Sequence, residues 1–277
     1  MTDLRPEAIE AALDLIDPIF RGTPQFVDPR LRSALGREVV VKVETLNPIG
    51  SFKARGASVL VRDLDPARTW VCSTGGNFGQ GLAYLARERG AAVDAFVSPQ
   101  VPEYKVRALR GLGARVECHE HPERASREHA AAGDDRVMVV DAREPAMAEG
   151  AGTIGVELAS AGPFDTVVVQ VGDGALISGV ACWLKSVAPA TRIVGVCASG
   201  APAMARSFAA GRAVPVQGDG TIATALAITE PIPESFARVA ALVDDIVMVD
   251  DDDLRRAMVV IGECIGVLVE PAGAAGV

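Results

Sequence analysis

The chain is predicted to be an α/β protein of two lobes, with parallel-rich sheets flanked by helices. Two observations predict this. From residue 37 onward, short β-branched stretches alternate with amphipathic stretches of helical period, the signature of βαβ units whose sheets are covered on both faces. The strands so counted are too many for one sheet, which places a smaller lobe at 67–144 and a larger, discontinuous one at 1–66 and 145–277.

The elements follow in order. Helical spacing runs from Pro6 to Phe20, and Thr23-Pro24 closes that entry segment. Residues 37–44 read as a strand. Pro48 and Gly50 then break the chain, and Ser51 can cap a helix that continues to about Arg62. Alternation continues with strands at 69–73, 93–97, 115–118 and 137–140, and helices at 81–89, 103–112, 123–132 and 149–159. Strands at 166–171, 192–197, 246–249 and 267–270 alternate with helices at 177–187, 202–210 and 254–265. The run Asp250 to Asp253 precedes the last of these helices and reads as its cap, with carboxylates that complement the helix dipole.

Composition limits the partners. The 277 residues are 49% hydrophobic and 23% charged, enough for one large core or two moderate ones. A net charge of −9 argues against nucleic-acid or anionic-membrane binding. Met1 to Pro6 lacks a basic segment followed by an apolar one, so no secretory leader is expected. No apolar run approaches the roughly 20 residues a membrane span needs. Five scattered cysteines without a Cys-x-x-Cys pair read as buried thiols, and a cytoplasmic location is expected.

Three stretches carry chemistry. In Asn47-Pro48-Ile49-Gly50-Ser51-Phe52-Lys53-Ala54-Arg55-Gly56, Lys53 opens a helix on an apolar floor. Burial there would lower its ammonium pKa and make the amine a candidate Schiff-base nucleophile, the alternative being an ordinary solvated lysine. The loop from Ser73 to Gly81 joins a strand to a helix, where glycine N–H groups can approach a carboxylate and Asn77 can donate to a planar ligand. Val171-Gly172-Asp173-Gly174-Ala175-Leu176-Ile177-Ser178-Gly179 follows the most hydrophobic strand and opens another helix. Small residues at a helix N-terminus make a phosphate cradle. It is neither a P-loop nor a dinucleotide fingerprint, because no Gly-Lys-Ser/Thr follows and the third glycine falls at 179 rather than 177.

Taken together, these stretches resemble the signatures of fold-type II pyridoxal-phosphate enzymes, within the tryptophan synthase beta superfamily. They are most similar to the threonine/serine dehydratase and serine racemase family. Arg143-Glu144-Pro145, Glu149 to Gly155 and Val269-Glu270-Pro271-Ala272-Gly273 extend the resemblance from about Thr23 to the last residue. It implies pyridoxal 5'-phosphate as cofactor, with Lys53 as the Schiff-base lysine and Phe52 beside the ring. Asn77 would bond the phenolic oxygen, Gly172, Asp173, Gly174, Ala175 and Leu176 would hold the phosphate, and Glu270 would lie near the ring. Ser73, Thr74, Gly75, Gly76 and Phe78 would form the loop that receives the substrate carboxylate.

The implied activity is an ammonia-lyase (dehydratase) acting on a small β-hydroxy amino acid such as threonine or serine, through an aminoacrylate, to give a 2-oxo acid and ammonia. A homodimer or homotetramer is expected by the same likeness. Two alternatives stay open: a β-replacement synthase of the cysteine-synthase kind, and a catalytically inactive protein with the same fold. The departures from the family pattern are specific. Asp173 and Ala175 stand where glycines are usual, and an anion at Asp173 is costly unless its side chain points away. Thr221 to Ala225 ends in alanine at a ring-contacting glycine position. Gly75 occupies the place of the racemase serine, so racemisation is not expected. Cys197 and Ser199 fall where some relatives carry metal-binding carboxylates, so no metal is expected there. The chain ends at Val277, before the family's residue facing the pyridine nitrogen, which implies either a truncated sequence or an incomplete site.

Other clusters are read as structural. Cys118, His119 and His121 lack a fourth ligand, and the histidines read as surface loop residues. Tyr84, Leu82 and Leu85 read as core.

Overall fold

A computed structural model of the chain describes residues 2–141 and 143–277. Met1, part of the N-terminal stretch read above, lies outside the described residues. The order is α1 (Pro6–Ala12), β1 (Gln25–Val27), α2 (Pro29–Leu35), β2 (Val40–Lys42) and α3 (Lys53–Leu60). There follow β3 (Thr69–Ser73), α4 (Asn77–Arg89), β4 (Val93–Val97), α5 (Glu103–Gly111), β5 (Arg115–Cys118), α6 (Pro122–Ala131), β6 (Arg136–Met138) and α7 (Pro145–Ala159). The remainder is β7 (Thr166–Gln170), α8 (Ala175–Val187), β8 (Arg192–Ala198), α9 (Ala203–Ala210), α10 (Pro233–Leu242), β9 (Asp245–Val249), α11 (Asp251–Ile265) and α12 (Pro271–Ala274).

Several expectations are corrected. The first helix stops at Ala12 rather than Phe20, because Asp17 precedes Pro18 and is pushed out of the helical region to ψ 132°. Two stretches to which no element is assigned above form α2 and α10. Asp28 caps α2 by accepting from the N–H groups of Arg30 and Leu31, and Gly36 closes it in the left-handed conformation. The strand expected at 267–270 is absent, and Leu268 is 91% exposed. Ser51 does not cap α3, whose cap position is Phe52, and the Ser51 hydroxyl is buried without a partner. Asp250 does cap α11, in a reciprocal pair with Asp253.

Two parallel sheets organise the chain. One has the order β5-β4-β3-β6, and the other β7-β8-β9, while β1 and β2 form an antiparallel pair. Full cover holds for β4, buried at every position. It fails for β7, an edge strand whose Val167 and Val169 face the core while Val168 is exposed. Among the described residues, no helix is long and apolar enough to cross a membrane.

Helices α3, α7 and α8 meet backbone to backbone. A Cβ on Gly179 would lie 1.9 Å from the Ala148 carbonyl oxygen, one on Gly150 2.4 Å from that of Arg55, and one on Gly56 2.5 Å from that of Met147. This close approach sets the N-terminus of α3 against that of α8. A buried ionic cluster pins it further. Arg55, fully buried, donates to Glu44 at 2.9 and 3.0 Å, to Glu157 at 2.7 and 3.0 Å, and to Thr153 at 3.0 Å. Lys42 also donates to Glu157.

The contacts give two expectations, both read by chemical denaturation. Gly179→Ala forces backbone apart and should cost about 1–3 kcal/mol or more. Arg55→Met leaves two carboxylates without their partner and should cost about 3–5 kcal/mol. The cluster is also acid-sensitive. Burial raises the Glu157 carboxyl, but hydrogen bonds from Arg55 and Lys42 outweigh it and hold the group down to about 2, against 4.5 unfolded. A group lowered by folding contributes stability above its unfolded value and loses it as pH falls through the folded one. Stability should therefore drop between about pH 5 and 2, with a shallower drop in Glu157→Gln.

Candidate functional site

The carboxyl ends of the parallel strands face one cleft, where loops of such sheets present their side chains. The chain leaves β3 toward Asn77, β6 toward Asp141, and β7 toward the Gly172-Asp173-Gly174 turn that opens α8. The cleft opens to solvent. Among the described residues lining it, Lys53 is the one cation.

Lys53 is the first residue of α3, 9% exposed, and lies 5.4 Å from the Phe52 ring centre. Its Nζ donates to Asp141 Oδ2 and Asp173 Oδ2, each at 2.7 Å. Burial pulls the ammonium pKa down, as expected from the sequence, but the two carboxylates outweigh it and hold the group above the ordinary lysine value. The expectation of an amine made neutral by burial is thus corrected. The carboxylates share the cation unequally. Asp173 also accepts the Ala175 N–H at 2.9 Å, and these contacts overcome burial and keep its pKa low. Asp141 is pushed up to about 6 by burial and by the neighbouring Asp173, against the pull of Lys53, and its Oδ1 is buried without a partner.

The turn before α8 is fixed. Gly174 has φ 97°, and a Cβ there would lie 2.7 Å from Val239 Cγ2. A Cβ on Gly172 would lie 2.7 Å from the Ala225 carbonyl oxygen. The Ser235 hydroxyl donates to the Asp173 carbonyl. Rather than pointing away, the Asp173 side chain faces the cleft. Opposite, Glu270 accepts from Asn77 Nδ2 at 2.6 Å and from the buried Lys105 Nζ at 2.8 Å.

The cleft thus gathers Phe52, Lys53, Asn77, Gly172, Asp173, Gly174, Leu176 and Glu270, with Ala175 buried just behind them. Ser73, Thr74, Gly75, Gly76 and Phe78 do not line it. The Thr74 hydroxyl accepts from the N–H groups of Gly76 and Gly79, both at 3.0 Å, and is spent on shaping its own loop. The Phe78 ring, 3% exposed, belongs to the core of the four-stranded sheet. Sequence reading missed Asp141 and Lys105. Asp141 carries a signal, an acidic residue at a strand's carboxyl end; Lys105, on an otherwise ordinary amphipathic helix, carries none. His119 pairs with Glu117 and His129 with Asp94. Among the described residues, no three His, Cys, Asp or Glu gather to hold a metal. Cys118 is exposed, the other cysteines buried.

Comparison with known proteins identifies the family. The profile of the family described as pyridoxal-phosphate dependent enzymes matches residues 16–277. An L-threonine ammonia-lyase from Thermotoga maritima is 34% identical, over 89% of this chain and 63% of that protein. A putative threonine dehydratase from Sinorhizobium fredii is 30% identical, over 100% of this chain and 86% of its own length. The structure of maize serine racemase superposes with a TM-score of 0.92 at 29% identity, covering 99% of this chain and 85% of that one. The chain spans 63%, 49% and 44% of the length of three threonine ammonia-lyases or dehydratases it matches.

The double carboxylate contact gives a direct test. Asp141→Asn removes one of the two charges holding the ammonium, and the neutral fraction of Lys53 at pH 8 should rise by about tenfold. Acylation of Lys53, followed by peptide mapping, should accelerate to match, and an unchanged rate would refute the pairing.

Proposed function

The chain belongs to the pyridoxal-phosphate dependent enzyme family, and on that premise we propose that it is an ammonia-lyase removing water and ammonia from a small β-hydroxy amino acid such as threonine or serine. The observation that carries this reading is a single buried lysine amine at the floor of a cleft formed by strand carboxyl ends. The family relatives named as threonine ammonia-lyases and dehydratases support the substrate class.

The residues fit the cofactor at several points. Lys53 Nζ faces the cleft and would meet the aldehyde once released from its two carboxylates, and the Ser51 hydroxyl, lining the cleft, is buried without a partner. The cradle at Gly172 admits no side chain, and the N-terminus of α8 beyond it favours an anion. Lys53 and Phe52 would hold the aldehyde end, Asn77 the phenolic oxygen, Glu270 would stand near the ring, and Gly172 through Leu176 would hold the phosphate. Asp173 fits only if its side chain turns away. When bound, pyridoxal phosphate supplies an electron-withdrawing ring that delocalises charge left on the substrate α-carbon.

The chain's own residues do the rest. Lys53 Nζ, once released from its carboxylates, takes the α-proton. Asn77 is oriented by its bond to Glu270, which also accepts from Lys105. In this reading the Gly75 N–H of the loop 73–76 would meet a substrate carboxylate, since those of Thr74 and Gly76 are bonded to the Phe96 carbonyl and the Thr74 hydroxyl. We further propose that residues 67–144 form a lobe able to move against the rest, and that the enzyme is cytoplasmic and homo-oligomeric.

Incubation with threonine or serine should release 2-oxo acid and ammonia in equal amounts. Lys53→Ala should abolish both release and borohydride trapping. A protein that traps the aldehyde at Lys53 yet forms no oxo acid, alone or with added thiol, would overturn the lyase reading in favour of a binding protein. Product formed only with thiol present would favour β-replacement.

A further inference from the structure

We propose that Asp173 is a resident anion seated where the cofactor's phosphate would bind, so that the site takes a non-phosphorylated pyridoxal-type aldehyde about as readily as its phosphate ester. The inference deepens the cofactor reading of this cleft and rests on it.

The Asp173 carboxylate already occupies two attractions that would otherwise favour a further anion in this cleft. Its Oδ1 takes the N–H of Ala175 at 2.9 Å, and that N–H belongs to the first turn of α8, a thirteen-residue helix whose dipole favours one anion there. Its Oδ2 takes the Lys53 ammonium at 2.7 Å. Among the described residues lining the cleft, no second cation stands ready to offset another anion. Arg55, two residues along α3, is already shared between Glu44 and Glu157.

The carboxylate is not free to leave with its loop. The Ser235 hydroxyl holds the Asp173 carbonyl, and Gly172 and Gly174 are packed against Ala225, Val239 and Ser235 with no room for a Cβ. Only rotation of the Asp173 side chain opens the seat. That rotation strips Lys53 of one partner and brings a carboxylate alongside the phosphate. Like charges within about 4–6 Å shift binding or protonation equilibria by roughly one to three powers of ten, which is the advantage a phosphate ester forfeits here. The ring end of the cleft is unaffected. Asn77 and Glu270 lie across the cleft, and the unpaired Ser51 hydroxyl lies beside Lys53 in the chain.

The test titrates the full-length protein with pyridoxal and with pyridoxal phosphate, following the visible imine band and trapping the adduct with borohydride for mapping to Lys53. Wild type, Asp173→Gly and Asp173→Asn are compared, and inorganic phosphate is added as competitor. Asp173→Asn keeps the side chain's size and its cap on Ala175, so it reports charge alone should the glycine variant fold poorly. The wild type should bind the two aldehydes within about tenfold of each other, and phosphate should not compete. Both variants should gain about tenfold or more in preference for the phosphate ester, with phosphate now competing. A wild type that prefers the ester by a hundredfold or more, or variants with an unchanged preference, would overturn the proposal while leaving the cofactor reading intact. No adduct at Lys53 with either aldehyde, in any of the three proteins, would sink the cofactor reading and the proposal with it.

Discussion

Everything in the cleft turns on one buried ammonium shared by two carboxylates. Desolvation alone would discharge a lysine that is 9% exposed. Two contacts at 2.7 Å reverse the outcome, because at such separations Coulomb attraction is worth several kcal/mol even at an effective dielectric near 20. The geometry is not adjustable. Glycines at 56, 150 and 179 let α3, α7 and α8 touch through their backbones, which fixes the start of α3 opposite the start of α8. A lysine at the first position of one helix therefore faces the turn that leads into the other. That turn carries Asp173, two residues before α8, and the electrostatics of the site follow from packing.

The same logic recurs at two other buried nodes. Arg55 pairs with Glu44, which follows β2 and lines the cleft, and with Glu157 of α7, joining these segments to α3. Glu270 accepts from Asn77 and Lys105, joining the start of α12 to α4 and α5 beside the four-stranded sheet. Each node pairs charges from distant parts of the sequence. Each would be costly to bury half-made, so the nodes specify how the two parallel sheets sit around the cleft. They also keep the cleft's acidic groups occupied, leaving few polar atoms unpaired. Those that remain at the cleft among the described residues are on Thr45 and Ser51, which line it, and on Asp141, which bonds Lys53.

The sheets were legible in the sequence because β-branched runs and helical periods carry their own physics. β4 and β5 match residue for residue, and β7 and β8 within one residue. Helix starts were read late, at 149 rather than 145 in α7 and at 81 rather than 77 in α4, since first turns that open on proline or on Asn-Phe-Gly look like loops until tertiary packing recruits them. Lys53, Asn77 and Asp173 were legible by their position at strand-to-helix turns. The pairing of Asp141 with Lys53 was not, because it joins positions 88 residues apart and depends on how far α3 penetrates the cleft. Thr74 and Phe78 were misjudged for the opposite reason. Their loop was identified, but side-chain direction is set by Gly76, whose φ of 130° sends the chain into α4 with Phe78 toward the core.

A carboxylate in an anion seat also settles how the fold stands without a ligand. The first N–H groups of a helix have no partner within it, and burying them unmet is costly. A glycine turn leaves that cost standing until an anion arrives, so part of the protein's stability is then supplied by ligand through mass action. With Asp173 capping Ala175 and neutralising Lys53, the chain supplies the anion itself. The interaction that would reward binding is already made within the protein, and a ligand gains only the difference between its own anion and the resident one. Stability without cofactor and affinity for its phosphate therefore draw on the same helix terminus, and a residue that strengthens one weakens the other.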